Sequence, residues 1–327
     1  MMKIRSTLAA ASAACLFALG ALCASGAAAQ AYPSKPIRYV VPYAPGGGTD
    51  ILARVIAEKL SAAWGVPVLV ENMPGAAGRI GTAAVARAAP DGHTMLLTIN
   101  SHAINVSLYG KLNYDPIADF APVILIATAP QVVVVHSSLP VKSIKDLIAL
   151  AGTRELTYSS GGPGSASQLG AELFNLMAKI KLVEVPYKSG SAAMNDLLGG
   201  HLPMSLVTFP VVQPHLSSGR LRAIAVTSQT RSTLAPDLPT VAESGLPGYD
   251  VFSWFGTFAP AGTPAPIIDK WNAEITRIMA LPDVQEKLKT LGYEAKGGSA
   301  AQFGQFLRSD WAFWDKVIKE LKISLKD

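Results

Sequence analysis

The stretch Ile37-Arg38-Tyr39-Val40-Val41-Pro42-Tyr43-Ala44-Pro45-Gly46-Gly47-Gly48-Thr49-Asp50 reads as a buried strand, a glycine-rich turn and the opening of a helix. Ile37 to Val41 is the strand, Pro42 ends it, and a helix begins near Thr49 and runs to about Ala63. Glycines at 46 to 48 let the backbone approach a ligand with no Cβ in the way. The helix start offers unpaired N–H groups and the positive end of the dipole, a site suited to a carboxylate or phosphate. Tyr43, Ala44, Pro45, Gly46, Gly47, Gly48 and Thr49 are therefore candidate ligand contacts. Asp50 joins them on position, but it reads first as a cap or loop clamp, because an anion would be repelled by it. Two sharper motifs fail. A phosphate-binding P-loop needs Gly-Lys-Ser/Thr, and no Lys follows Gly48; a dinucleotide fingerprint needs glycine where Ile51 stands.

A second turn repeats the design: Ser159-Ser160-Gly161-Gly162-Pro163-Gly164-Ser165-Ala166-Ser167-Gln168. Its hydroxyls and backbone amides donate without adding a fixed charge, which suits a second carboxylate or a carbonyl. Ser159, Ser160, Gly164, Ser165 and Ser167 are candidates here. Tyr187, after another strand, can wall a pocket and offer its hydroxyl; Lys188 reads equally as solvated loop charge. Asn100, Ser101 and His102 close a third strand and are placed to face the same cleft. A serine nucleophile is not supported: Gly-x-Ser-x-Gly is absent, and His93, His102, His136, His201 and His215 show neither base pairing by position nor metal-ligand spacing. No catalytic residue, metal site or cofactor is expected.

Around these turns, apolar runs alternate with helical patterns, the signature of an α/β fold with mainly parallel sheets. Strands are expected at Val66 to Glu71, Met95 to Ile99, Val123 to Ala127, Val132 to Val135, Leu156 to Tyr158, Leu182 to Val185, Met204 to Val207 and Arg222 to Thr227. Thr128 to Gln131 separates two of them. Helical spacing marks Gly81 to Ala89, Ser143 to Leu150, Ser165 to Ala178, Met194 to Leu198 and most of the last seventy residues. Two halves of one design imply two lobes with a cleft between them, since open α/β sheets bind ligands beyond the strand C-termini. Residues 32–128 with 254–327 form one lobe and 129–253 the other, with crossings near Ala127 to Pro130 and Val251 to Gly256 as the hinge. Trp254 and Phe255 either line the cleft or pack the hinge.

The first residues read as a leader. Lys3 and Arg5 precede the apolar stretch Leu8 to Leu22, and Ala29-Gln30-Ala31 gives a small-x-small cleavage pattern, so 1–31 is expected to be removed on export to the periplasm. Leu22 before Cys23 argues against a lipoprotein. Both cysteines, Cys15 and Cys23, fall in this leader, leaving no thiol or disulfide chemistry. The remaining chain carries 26 basic and 23 acidic residues with no basic run, so nucleic acid is not an expected partner.

Ordered motifs then resemble one family along the whole mature chain. Tyr32-Pro33-Ser34-Lys35-Pro36-Ile37, Pro42 to Asp50, Glu71 to Gly78, Asp91-Gly92-His93-Thr94, Tyr158 to Gly164, Pro186-Tyr187-Lys188, Ser218 to Ala223, Pro239 to Glu243 and Ala259 to Pro264 resemble the tripartite tricarboxylate transporter receptors, also called the Bug family. The resemblance implies a two-lobed, Venus-flytrap periplasmic binding protein of type II-like architecture, a monomer that closes on a small carboxylate. It would serve a large and a small membrane subunit of a secondary transporter. It further implies that Ala44 to Thr49 and Ser159, Ser160, Gly164, Ser165 and Tyr187 grip the ligand, partly through backbone amides and water. Three departures stand out. Arg79 replaces the Asn of many relatives, the glycine after Lys188 comes one residue late, and Thr208 falls where amino-acid-binding members tend to carry Asp. Thr208 cannot pair with an ammonium group, which favours a carboxylic acid without an amine. A solute sensor without a transporter, and an exported enzyme, are the rival classes.

Overall fold

The computed structural model describes residues 32–160, 164–187 and 190–321, with only the backbone of Gly190 and Ser191; the leader, the middle of the second turn and Lys188-Ser189 lie outside them. Strand β1 (Ile37–Val41) is flanked in parallel by β2 (Val68–Asn72) and β3 (Thr94–Ile99). Between them run helices α1 (Gly48–Trp64) and α2 (Arg79–Ala86), the latter entered through a 3-10 turn at Ala76–Gly78. Helix α1 buries Leu52, Ala53, Ile56, Ala57 and Leu60, one stripe at helical spacing, and stops at Gly65 in the left-handed region. Helix α3 (Ser101–Tyr109) follows β3 directly.

Strand β4 (Phe120–His136) organises the molecule. Its first part, Phe120 to Pro130, pairs antiparallel with β9 (Phe252–Pro260), which also pairs with β3. Its second part, Gln131 to Val135, pairs antiparallel with β7 (Met204–Thr208) and, on its other edge, β8 (Leu221–Val226). Strand β5 (Leu156–Ser160) joins β7 and β6 (Leu182–Pro186) in parallel. Two sheets, ordered β2-β1-β3-β9-β4 and β4-β7-β5-β6, thus share one strand. Reading Val123 to Ala127 and Val132 to Val135 as separate strands is corrected: Thr128 to Gln131 continues the strand. Pro130, which donates no N–H, sits where β4 leaves one sheet for the next, a place where a missing ladder bond is tolerated. The sheets are also mixed, since both crossing strands run antiparallel to their neighbours.

Helices α4 (Ile144–Ala151, capped by Ser143), α5 (Ala166–Ala178), α6 (Gly190–Leu198) and α7 (Phe209–Leu216) clothe the second sheet. Helices α8 (Ala265–Met279) and α9 (Pro282–Leu291) and the short β10 (Glu294–Ala295) return to the first, where β10 pairs with β4. Helix α10 (Ala300–Leu321) spans both lobes. Phe303 and Leu307 pack with Val40, Leu96, Trp254 and Phe258 of the first, while Trp314, Val317 and Ile318 pack with Tyr158, Leu169 and Phe174 of the second. Ile104 and Leu108 of α3 join that second core as well. The crossings are stapled by Thr227, fully buried. Its hydroxyl accepts from Gln131 N–H (2.9 Å) and donates to the Val251 or Gln131 carbonyl, and its own N–H bonds Gln131 O. Ser232 Oγ (2.7 Å) and Thr233 N–H (3.1 Å), in the loop after β8, donate to Glu294 of β10 and tie one lobe to the other.

Trp314 is 4 % exposed and anchors α10 to the second lobe. Trp314→Ala is expected to destabilise the protein by about 3–5 kcal/mol in urea unfolding, through lost burial and the cavity left behind.

Candidate functional site

Each lobe fixes a helix start with the same three-part clamp. In the first, Gly46 takes φ +84° and its N–H donates to Asp50 Oδ2 (2.9 Å) one turn ahead. Asn72, at the end of β2, donates from Nδ2 to Asp50 Oδ1 (2.9 Å) and to Tyr43 O (3.1 Å), and Arg54 Nε donates to Asp50 Oδ2 (3.0 Å). In the second, Gly164 takes φ +75°, and its N–H donates to Gln168 Oε1 (2.7 Å) one turn ahead. Gln168 Nε2 in turn donates to Glu184 Oε2 (3.0 Å) on β6. Glycine is required at both turns because L side chains rarely take these angles, and a Cβ on Gly164 would also come within 2.9 Å of Leu108. Both clamps fix the start of a helix just beyond a strand end, the kind of position that favours an anion.

The candidates divide by where their polar atoms go. Ala44, Pro45, Gly46 and Gly47 are exposed at the start of α1, with Gly48 and Thr49 behind them. Tyr43 does not point out: its hydroxyl shares hydrogen bonds with Thr98 Oγ1 (3.0 Å) and Ser101 Oγ (2.7 Å), bracing the turn on β3. Asp50 is the loop clamp. Burial acts to raise its pKa, but hydrogen bonds from Arg54, the Gly46 N–H and Asn72 outweigh that and hold it below the usual carboxylate range. Asn100 is buried at the start of α3, its carbonyl accepting from Ala103 and Ile104. His102 is a correction. It is 1 % exposed, stacked on Phe258 and edge-on to Phe120, with Nε2 against the Pro116 carbonyl (2.9 Å). Burial pushes its pKa down to about 4, so the ring is a neutral core side chain and does not reach the cleft.

In the second lobe Ser165 caps α5, accepting from Gln168 N–H (3.2 Å), and lies 3.1 Å from Ser167 Oγ. Ser160 donates to Glu184 at the end of β5. Ser159 is corrected too: strand alternation turns it to the opposite face, where it is buried and shares a 2.6 Å hydrogen bond with Ser205. The Tyr187 hydroxyl donates a hydrogen bond to Asp196 Oδ2 (2.6 Å), which raises the phenol's pKa, and its N–H donates to Ser160 O at the end of β5. Thr208 stands at the start of α7, and its hydroxyl makes no capping bond. Trp254 is fully buried, donating from Nε1 to Asp310 (2.9 Å), and packs the hinge.

Three residues on or beside the crossing strands were not singled out in the sequence. Tyr293 packs on Phe255 (4.4 Å between centroids), and its hydroxyl occupies the space a Gly48 side chain would need. Burial pushes that phenol up to about 12, so it meets the start of α1 as a neutral group. Gln131 and Ser253 lie on the two crossing strands; a lone polar residue interrupting the apolar run from Ala129 to Val135 was the available signal for the first. Among the described residues no group of acidic, histidine or cysteine side chains is arranged to hold a metal.

The clamp gives a pH dependence with a definite sign. Because the folded pKa of Asp50 lies below its unfolded value, its stabilisation is fully present above about pH 4 and is lost as pH falls through the folded value. Asp50→Asn is expected to lower the melting temperature at pH 7 by about 2–4 °C. It should also flatten the decline between pH 5 and 2, about the window in which such a carboxylate titrates, as read by thermal melts across that range.

Known proteins resemble this chain over most of its length. The profile of the tripartite tricarboxylate transporter family receptor matches residues 52–323. A Pseudomonas sp. (strain P51) protein from the tcbD-tcbE intergenic region is 37 % identical over 298 residues, covering 90 % of this chain and 89 % of its own. BugT of Bordetella pertussis is 36 % identical, covering 93 % and 94 %. Among solved structures, R. palustris Rpa4515 with adipate superposes with a TM-score of 0.78 at 36 % identity, covering 90 % of this chain and all of that one. MatC from Rhodopseudomonas palustris with bound malate does so with 0.74 at 32 %, covering 88 % and all of that chain. With its two-lobed fold and paired helix-start turns, this chain belongs to the tripartite tricarboxylate transporter receptor family, whose members are periplasmic solute-binding receptors and not enzymes.

Proposed function

We propose that this receptor captures a small carboxylate between its lobes and presents it to the membrane subunits of a tripartite secondary transporter. The observation that carries this reading is the pair of clamped helix starts, in which Asp50 and Gln168 take the Gly46 and Gly164 N–H groups and fix the N-termini of α1 and α5, where the helix dipole favours an anion. An anion held by backbone dipoles on both sides favours the closed arrangement by its differential affinity for it. Relatives crystallised with adipate and with malate support the ligand class. In this reading residues 32–128 and 254–327 form one lobe and 129–253 the other, with α3 and α10 lending side chains to the second core. The segment 1–31, outside the described residues, is removed on export to the periplasm, and the receptor works as a monomer.

A thermal-shift screen of mono-, di- and tricarboxylates, aromatic acids and amino acids tests the ligand class, since a ligand that binds only the folded state raises Tm by mass action. At least one carboxylate should raise Tm by several degrees; no response to any of them would overturn the reading. Gly47 supplies the site test. Its φ of −74° suits any residue, and a Cβ there would meet nothing nearer than Ala44 O at 3.7 Å, so the fold does not require glycine. Gly47→Leu is expected to leave the melting temperature unchanged and to weaken ligand binding by a hundredfold or more, on the order of 3 kcal/mol. Unchanged affinity in calorimetry would remove this turn from the site.

A further inference from the structure

Strand β4 carries a buried glutamine where the two sheets meet. Gln131 is 7 % exposed, and its side-chain Oε1 has no hydrogen-bond partner among the described residues. The backbone, by contrast, is fully held: its N–H and C=O both bond Thr227. A carbonyl oxygen shut away from water without a donor is costly, and native structures keep such groups where something else supplies the partner.

Strand alternation fixes where that oxygen lies. Ala129 packs in the core built with Leu52 and Ala53 of α1, and Val133 packs in the core built with Leu169 and Phe174 of α5. Residues two apart on a strand share a face, so Gln131 projects from the side that carries both glycine-turn helices, midway between them. The other crossing strand repeats the pattern. Phe255 belongs to the α1 core, Val251 to the α5 core, and half-buried Ser253 stands between, paired with Ala129. Thr208, whose hydroxyl makes no capping bond, is Gln131's partner in register on β7. Gln131, Ser253 and Thr208 therefore form a floor that is polar and uncharged, beneath the space between the two anion-binding turns.

We infer that Gln131 is a specificity-determining residue that accepts a hydrogen bond from a hydroxyl on the bound carboxylate, so that the receptor prefers a hydroxy-carboxylate to its unsubstituted parent. The inference rests on the carboxylate reading above. A hydroxyl fits better than an ammonium group because none of the three floor residues carries a balancing charge.

Calorimetry with matched probes tests it: succinate against malate, and glutarate against 2-hydroxyglutarate, on the wild type and on Gln131→Met, which keeps chain length and loses the amide. The wild type should bind the hydroxylated member of a pair about tenfold tighter. The variant should bind both members alike, with affinity for the plain acid held within about twofold, and the ligand-free melting temperature should not fall. Absence of a hydroxyl preference in the wild type overturns the inference. Equal weakening of both members overturns it too, since the contact would then be to the shared carboxylate. A fall in ligand-free melting temperature with the preference intact would make Gln131 structural. If the wider screen finds a carboxylate that binds without hydroxyl preference, this inference alone fails; if no carboxylate binds, the reading beneath it fails as well.

Discussion

A single continuous strand determines where everything else in this receptor can sit. Strand β4 belongs to both sheets, and its pleat alternates without interruption through the crossing from Pro130 to Gln131. The face that packs α1 in one lobe is therefore the face that packs α5 in the other. Both glycine turns come to lie on one side of the molecule for that reason. An odd-numbered insertion between Ala129 and Val133 would send one helix start to the opposite face and separate the two halves of the site. Thr227, bonding both crossing strands with a single buried hydroxyl, holds that register.

The site built on this frame is electrically economical. Asp50 and Glu184 stand near helix starts that favour anions, yet the first is absorbed by Arg54, Asn72 and the Gly46 N–H. Glu184 accepts hydrogen bonds from the Ser160 hydroxyl and the Gln168 amide. In the proposed function, affinity built from partial charges on both lobes is large only when both contact the ligand together, which ties occupancy to closure.

The sequence conveyed the local grammar of this fold faithfully. Strand β1 and the helix starts after both turns fall where apolar patterning and glycine turns put them. Legibility failed where tertiary contacts decide. Thr128-Ala129-Pro130-Gln131 has the composition of a turn and is the middle of a strand, because Pro130 sits at a change of sheet. His102 and Ser159 are polar residues at strand ends, the usual place for a ligand contact, but packing and alternation carry them inward. Helices α3 and α7 were not foreseen: one is held by two lobes' cores and the other carries prolines, so neither shows a clean periodic stripe. Gln131, Ser253 and Tyr293 lie on segments more than a hundred residues apart in the extreme, and only strand register reveals that they share a neighbourhood.

Helix α10 has a consequence for how the chain acquires its structure. It follows every other described element in sequence, and it supplies Phe303 and Leu307 to one core and Trp314, Val317 and Ile318 to the other. Strand β9, which completes the first sheet, also arrives late, after the whole second lobe has been threaded between its neighbours. Neither hydrophobic interior can be finished by a chain emerging from its N-terminus until this final segment is present. Both cores therefore depend on side chains supplied by the same late helix.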